Sequence, residues 1–215
     1  MRKFKLLMLV ILIGVFLSGC SGNNALPKRA HDANADVIKF YNLDWLTSKN
    51  DVDARFTKDF GEGTYTTKLD YFEKANDTLG FGEYYYKGVD GDGLHWNIGG
   101  HEVSSMVITY ISNDECKNNY LIRGKYSFKN PTEEVAQDLY HTLCSLYSET
   151  KRTPSTTEFE DINGNRITMR FYKYTEGKIT ATLSLEYMCG DMINAFNDIQ
   201  ESYYKQKTKE GANGL

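Results

Sequence analysis

The chain has 215 residues, with 25 Lys plus Arg against 29 Asp plus Glu, a formal net charge of −4, and 13% aromatic residues. That acidic balance argues against a nucleic-acid binder and against a protein held on anionic lipid by charge, because both need a basic surface. The length suits one domain of comfortable size or two small ones.

The chain opens on Arg2, Lys3 and Lys5 and continues from Leu6 to Leu17 as an apolar run interrupted by one Gly, the pattern of a signal peptide. A membrane-spanning helix needs roughly 20 apolar residues, and this run stops sooner, at Ser18. Leu17, Ser18, Gly19 and Cys20 then resemble the bacterial lipobox, a branched apolar residue followed by two small residues and Cys. The resemblance implies cleavage before Cys20, a diacylglyceryl group on its thiol, and a mature lipoprotein on the extracytoplasmic side of the cell membrane or on the outer membrane. Two acyl chains, at about 0.8 kcal/mol per buried CH₂, anchor stably where one holds only marginally. Removing residues 1–19 takes away three positive charges and leaves 22 against 29, a net of about −7. Attachment to the membrane is therefore expected through lipid on Cys20. The next stretch, SGNNALPKRAHDANA from Ser21 to Ala35, is small and polar and reads as part of a tether over residues 20–35. A domain over 36–208 and a flexible tail over 209–215 complete the expected organisation.

Within the domain, Thr47 and Ser48 precede Asp51 in a capping pattern, and Val52 and Phe56 lie one turn apart. A helix from Lys49 to Asp59, ended by Gly61 and Gly63, follows. From Thr64 to Lys129 the period changes to two, over Tyr65–Phe72, Phe81–Tyr86, Val103–Ile111 and Tyr120–Phe128. In the last run Tyr120, Ile122, Gly124, Tyr126 and Phe128 are expected on one face and Leu121, Arg123, Lys125 and Ser127 on the other. Asn130 and Pro131 announce a helix over Pro131–Thr150, with Val135, Leu139, Leu143, Leu146 and Tyr147 as its apolar stripe. Three strands are expected after Pro154, turned at Asn163-Gly164 and Glu176-Gly177. Asp191 is expected to cap a last helix whose stripe is Met192, Phe196, Ile199 and Tyr203.

The order predicts an α+β fold: an antiparallel meander sheet packed by about three helices, arranged as two related helix-plus-meander halves. This order loosely resembles the β-lactamase-inhibitor-protein-like architecture and the small lipoproteins of outer-membrane assembly. The likeness is one of element order over residues 37–205; it implies a binding role and transfers no site residue.

The chain carries no complete catalytic motif. Ser202 and Lys205 spell S-x-x-K but sit late in a helix without the partner motifs, and G-x-S-x-G is absent. His95 and His101, the latter beside Glu102, are separated by Gly99-Gly100 and read as hairpin-flanking polar residues. Asp90, Gly91, Asp92 and Gly93 begin like a calcium loop, but Leu94 stands where the next oxygen ligand belongs. His141 and Cys144 share a helix, where a core thiol is the plainer reading. Beyond Cys20 the cysteines are Cys116, Cys144 and Cys189. One disulfide plus one thiol and three buried thiols both remain open. No metal site, cofactor or catalytic residue is expected.

Sixteen tyrosines exceed what a core usually needs, and tyrosine is favoured at interfaces for its large area at low entropy cost. Tyr84, Tyr85, Tyr86, Tyr172 and Tyr174 are the candidate binding surface, with Tyr85 facing away from Tyr84 and Tyr86. The expectation is a non-catalytic binding or scaffolding module for another envelope protein. An envelope hydrolase and a glycan or small-ligand binder are the alternatives.

Overall fold

A computed structural model describes residues 37–76, 78–89, 94, 96–113, 118–176 and 178–212. The lipobox residues Leu17, Ser18, Gly19 and Cys20, the tether up to residue 36, Asp90–Gly93, His95, Cys116 and Gly177 lie outside the described residues. The first helix, α1, runs Lys49–Phe60 behind the expected cap: the Ser48 hydroxyl accepts from the Asp51 amide. It ends at Gly61, whose φ of +99° favours glycine. Four strands and a short arm follow: β1 (Tyr65–Lys74), β2 (Leu79–Gly88), the arm β3 (Trp96–Ile98), β4 (His101–Asn113) and β5 (Asn118–Phe128). Then come α2 (Glu133–Leu146), β6 (Ser148–Arg152), β7 (Thr156–Glu160), β8 (Arg166–Glu176), β9 (Lys178–Met188) and α3 (Gly190–Ala212).

The strands form one antiparallel sheet in the order β1-β2-β4-β5-β9-β8-β7-β6, with β3 paired on β4. The predicted α+β meander with three helices is therefore the fold. Each half is a helix followed by a four-strand meander, β3 being an arm of the first. The halves join through their last strands, β5 and β9, which run antiparallel. Equivalent strands paired in this way relate the two meanders by an approximate two-fold axis normal to the sheet.

Both α1 and α2 pack on one face. Val52 and Phe56 from α1 and Ala136, Leu139 and Leu143 from α2 share a core with Met106, Ile108, Tyr126, Leu183 and Leu185. The segment before α1 wedges in with them. Ile38 and Phe40 are fully buried, and the Phe40 ring stacks on Tyr126 at 4.7 Å and meets Tyr187 edge-on at 5.9 Å. Tyr126 belongs to β5 and Tyr187 to β9, so Phe40 bridges the seam between the halves. The Asp161 carboxylate holds the same segment from the β7–β8 turn, accepting from the Ile38 amide at 2.7 Å. The other face carries α3 at one end only, where Phe196 packs with Ala75, Ile111 and Ile122.

Several local expectations change. The helix expected to open at Pro131 starts two residues later: Thr132 caps α2 and its hydroxyl accepts from the Val135 amide. The helix stops at Leu146 because Tyr147 adopts extended angles, and residues 148–152 become the edge strand β6 rather than its last turn. Lys151 and Arg152 on that strand discourage further pairing, as charged edges do. In β5 the alternation slips: the register on β4 shifts between Thr109, facing Arg123, and Tyr110, facing Leu121. The bulge turns Leu121 into the main core and Ile122 toward Phe196, and leaves Tyr120 exposed. Helix α3 begins at Gly190, so Asp191 does not cap it, and glycine is required at 190 because a β-carbon there would run into the Gly164 carbonyl. Asp191 instead occupies the first turn, where the helix dipole favours a carboxylate. Ile199 is 37% exposed and outside the buried stripe, and the helix continues past Lys205 to Ala212.

Candidate functional site

Strand alternation splits the predicted tyrosine group. Tyr84 and Tyr86 belong to the core face of β2. Tyr86 is fully buried, donating to Asp53 of α1 at 2.9 Å and lying 3.1 Å from the Tyr110 hydroxyl. Tyr84 is half-buried, edge-on to Tyr110 and beneath the Lys49 ammonium at 4.8 Å. Tyr86 is thereby withdrawn from any binding surface, and its hydroxyl, with the Tyr84 ring, joins α1 to the sheet. Tyr85 points to the opposite face and is 36% exposed. Tyr172 on β8 is 37% exposed on that same face, since its neighbours Met169 and Phe171 turn to the core. Tyr174 pairs with Thr180 through the backbone, and its side chain lies outside the described residues.

Between Tyr85 and Tyr172 runs a chain of charges absent from the sequence reading. Arg123 of β5 hydrogen-bonds Glu83 of β2 and donates to Thr109 of β4 at 3.0 Å. Its other guanidinium nitrogen lies 3.5 Å from Glu186 of β9. Glu186 in turn accepts from Arg170 of β8. Signs alternate across five strands, so the network is neutral, and Glu186 at its centre is 9% exposed. Only the period-two polar positions of β5 and β9 hinted at it. The pairing of β5 with β9, which brings Arg123 to Glu186, joins residues too distant in sequence for a pattern to reveal.

The other candidate groups separate. Cys144 on α2 and Cys189 before α3 are both thiols, not joined to each other. Burial pushes the Cys189 thiol up, which disfavours a reactive thiolate. His141 stacks edge-on with Tyr140. His101 lies 2.8 Å from Asp138 of α2, and Glu102 pairs with Lys129. Ser202 is exposed and Lys205 pairs with Glu201, one turn back on the same helix. Among the described residues no group of three or more His, Cys, Asp or Glu is placed to hold a metal ion, and no helix is long and apolar enough to cross a membrane. No protein-family model matches the chain, and neither a curated protein nor a solved structure matches it.

Proposed function

We propose that this chain is a lipid-anchored extracytoplasmic protein, tethered through Cys20, that binds another envelope protein through the sheet face opposite α1 and α2. The observation that carries the reading is the Glu83–Arg123–Glu186–Arg170 network lying between Tyr85 and Tyr172 on a face that α3 covers at one end only. Tyrosines supply contact area with few rotamers to freeze. Alternating charges confer register and partner choice more than raw affinity. The mature charge of about −7 makes the acyl chains, not the surface, the attachment.

Crosslinking in intact cells tests this, comparing wild type with Tyr85→Ala/Tyr172→Ala and with Cys20→Ala. Wild type should capture a discrete envelope protein, the tyrosine variant should lose it, and Cys20→Ala should leave the membrane fraction. Capture that survives loss of both tyrosines would remove the open sheet face from the argument.

A further inference from the structure

A cavity of about 220 Å³ opens on the helical face, between α2 and the turn joining β6 to β7. Ala136 and Tyr140, one turn apart on α2, meet Met169 and Phe171 of β8 and make one wall apolar, while Gln137, Arg152 and the turn over residues 153–157 make the rest of the lining polar. The turn that closes it is held in place before any ligand arrives. The Thr153 amide donates to the Thr156 carbonyl at 2.7 Å, the Thr156 amide to the Thr153 hydroxyl at 3.0 Å, and the Phe171 amide to the Ser155 carbonyl at 2.9 Å. A preformed wall removes part of the ordering cost of binding.

One cation lines the opening. The Arg152 guanidinium lies over the Tyr140 ring, 4.4 Å from its centroid, and donates to the Tyr140 hydroxyl at 2.9 Å. That hydroxyl donates onward to Glu149 at 2.8 Å. Among the described residues no carboxylate forms an ion pair with Arg152, whose remaining N–H donors are uncommitted to a partner charge. The carboxylate in the cavity wall, Glu133, is engaged by Lys173. The cavity is smaller than the roughly 300–1,000 Å³ of sites for drug-sized ligands. It has room for a single ring or branched side chain.

We infer that this cavity binds an apolar group carrying an adjacent carboxylate, the ring or branched chain lying against Met169 and Phe171 and the carboxylate on Arg152. The same chemistry is offered by a free aromatic or branched acid and by the C-terminal residue of a peptide. The site is on the opposite side of the sheet from Tyr85 and Tyr172 and does not depend on the function proposed for that face.

Amide NMR shifts of the full chain, titrated with N-acetyl-phenylalanine, with its amide, and with a hexapeptide ending in Phe, test the inference. The acid should move the resonances of Ala136, Thr156 and Phe171. The amide should bind about tenfold more weakly or worse, because the charge-assisted contact is lost. Arg152→Gln, an exposed position, should abolish the acid's advantage while lowering the melting temperature by no more than about 2–4 °C, the cost of its contacts with Tyr140, and Tyr85→Ala should leave the titration untouched. Tighter binding of the hexapeptide assigns the site to a chain terminus, and equal binding assigns it to a free acid. Equal affinity of acid and amide, or no shift at these resonances up to about 10 mM, overturns the inference.

Discussion

The α-carbon of Gly124 lies against the ring of Phe40, so closely that a β-carbon on residue 124 would stand 2.4 Å from three ring atoms. Glycine in the middle of a strand is normally unfavourable. Here it makes the recess that admits Phe40 over the junction of β5 and β9. Gly124→Ala should destabilise the fold by about 1–3 kcal/mol through overpacking, and Phe40→Ala by about 3–5 kcal/mol through the cavity it leaves. Urea unfolding of both single variants and the double variant checks the pairing. Gly124→Ala should cost much less once Phe40 has been removed.

Asp161, itself buried beneath a turn whose tip at Ile162 is exposed, accepts four hydrogen bonds. Oδ1 takes the Asn163 and Asn165 amides, while Oδ2 takes the Ile38 amide and the Asn165 side chain. Asp161→Ala strands these donors and should cost about 3 kcal/mol, since each unmet buried donor costs roughly 1–3 kcal/mol. Hydrogen exchange at the Ile38 amide should accelerate more than exchange in α3, which the turn does not hold in this way.

Tyr86 and Tyr85 are adjacent and should behave oppositely. Tyr86→Phe removes the hydroxyl shared between Asp53 and Tyr110 and should lower stability by about 1–3 kcal/mol. Tyr85→Phe, on the open face, should stay within about 0.5 kcal/mol of wild type. Equal effects in thermal melts would contradict the assignment of the two side chains to opposite faces.

Within the charge network, Glu186 lies between two arginines, whereas Glu83 meets one. Glu186→Ala leaves Arg123 and Arg170 facing each other across the seam and should cost more than Glu83→Ala, by about 1 kcal/mol. Melting curves at low and high salt should show the gap narrowing as salt screens the two guanidinium groups.

Alkaline titration should resolve the tyrosines by environment. Burial and then the hydrogen bond to Asp59 push Tyr41 up to about 12 from its ordinary 10.0. The folded chain thus keeps a proton that the unfolded chain releases near 10.0. This contribution to stability is whole below that pH and is lost as pH rises through about 12. Tyr86 and Tyr126 are raised further by burial. Tyrosinate absorbance should therefore rise in two phases, the second coinciding with loss of the fold, whereas a single phase centred near the ordinary value would mean these rings are exposed.

Much of the architecture was legible locally. The Ser48 cap, the start of α1, the alternating strands and the stripe through Leu139 and Leu143 all depend on neighbours within a few residues. So does the separation of Tyr85 from Tyr84 and Tyr86, because side chains alternate along any strand. Which of the two sets would be buried was not legible. That depends on α1 covering one face of β2, a packing decision made by Val52 and Phe56 from another part of the chain. The bulge at Ile122 was hidden for a related reason: β5 by itself alternates cleanly, and only pairing with β4 forces the extra residue. The glycine at the start of α3 answers to the Gly164 carbonyl, a neighbour across the fold.

By itself, then, the chain's order of residues determined the α+β class, the helix-plus-meander order and the acidic balance, because periodicity, capping and charge are short-range or additive properties. The tertiary structure decided that β5 pairs with β9, that Phe40 fills the recess over Gly124, and that Arg123, Glu186 and Arg170 meet on an open face. It also placed Arg152 of β6 beside Tyr140 of α2, at the mouth of a cavity walled in addition by β8. Each of these requires strands or helices from separated segments to share one surface, and a pattern read along the chain contains no such distance.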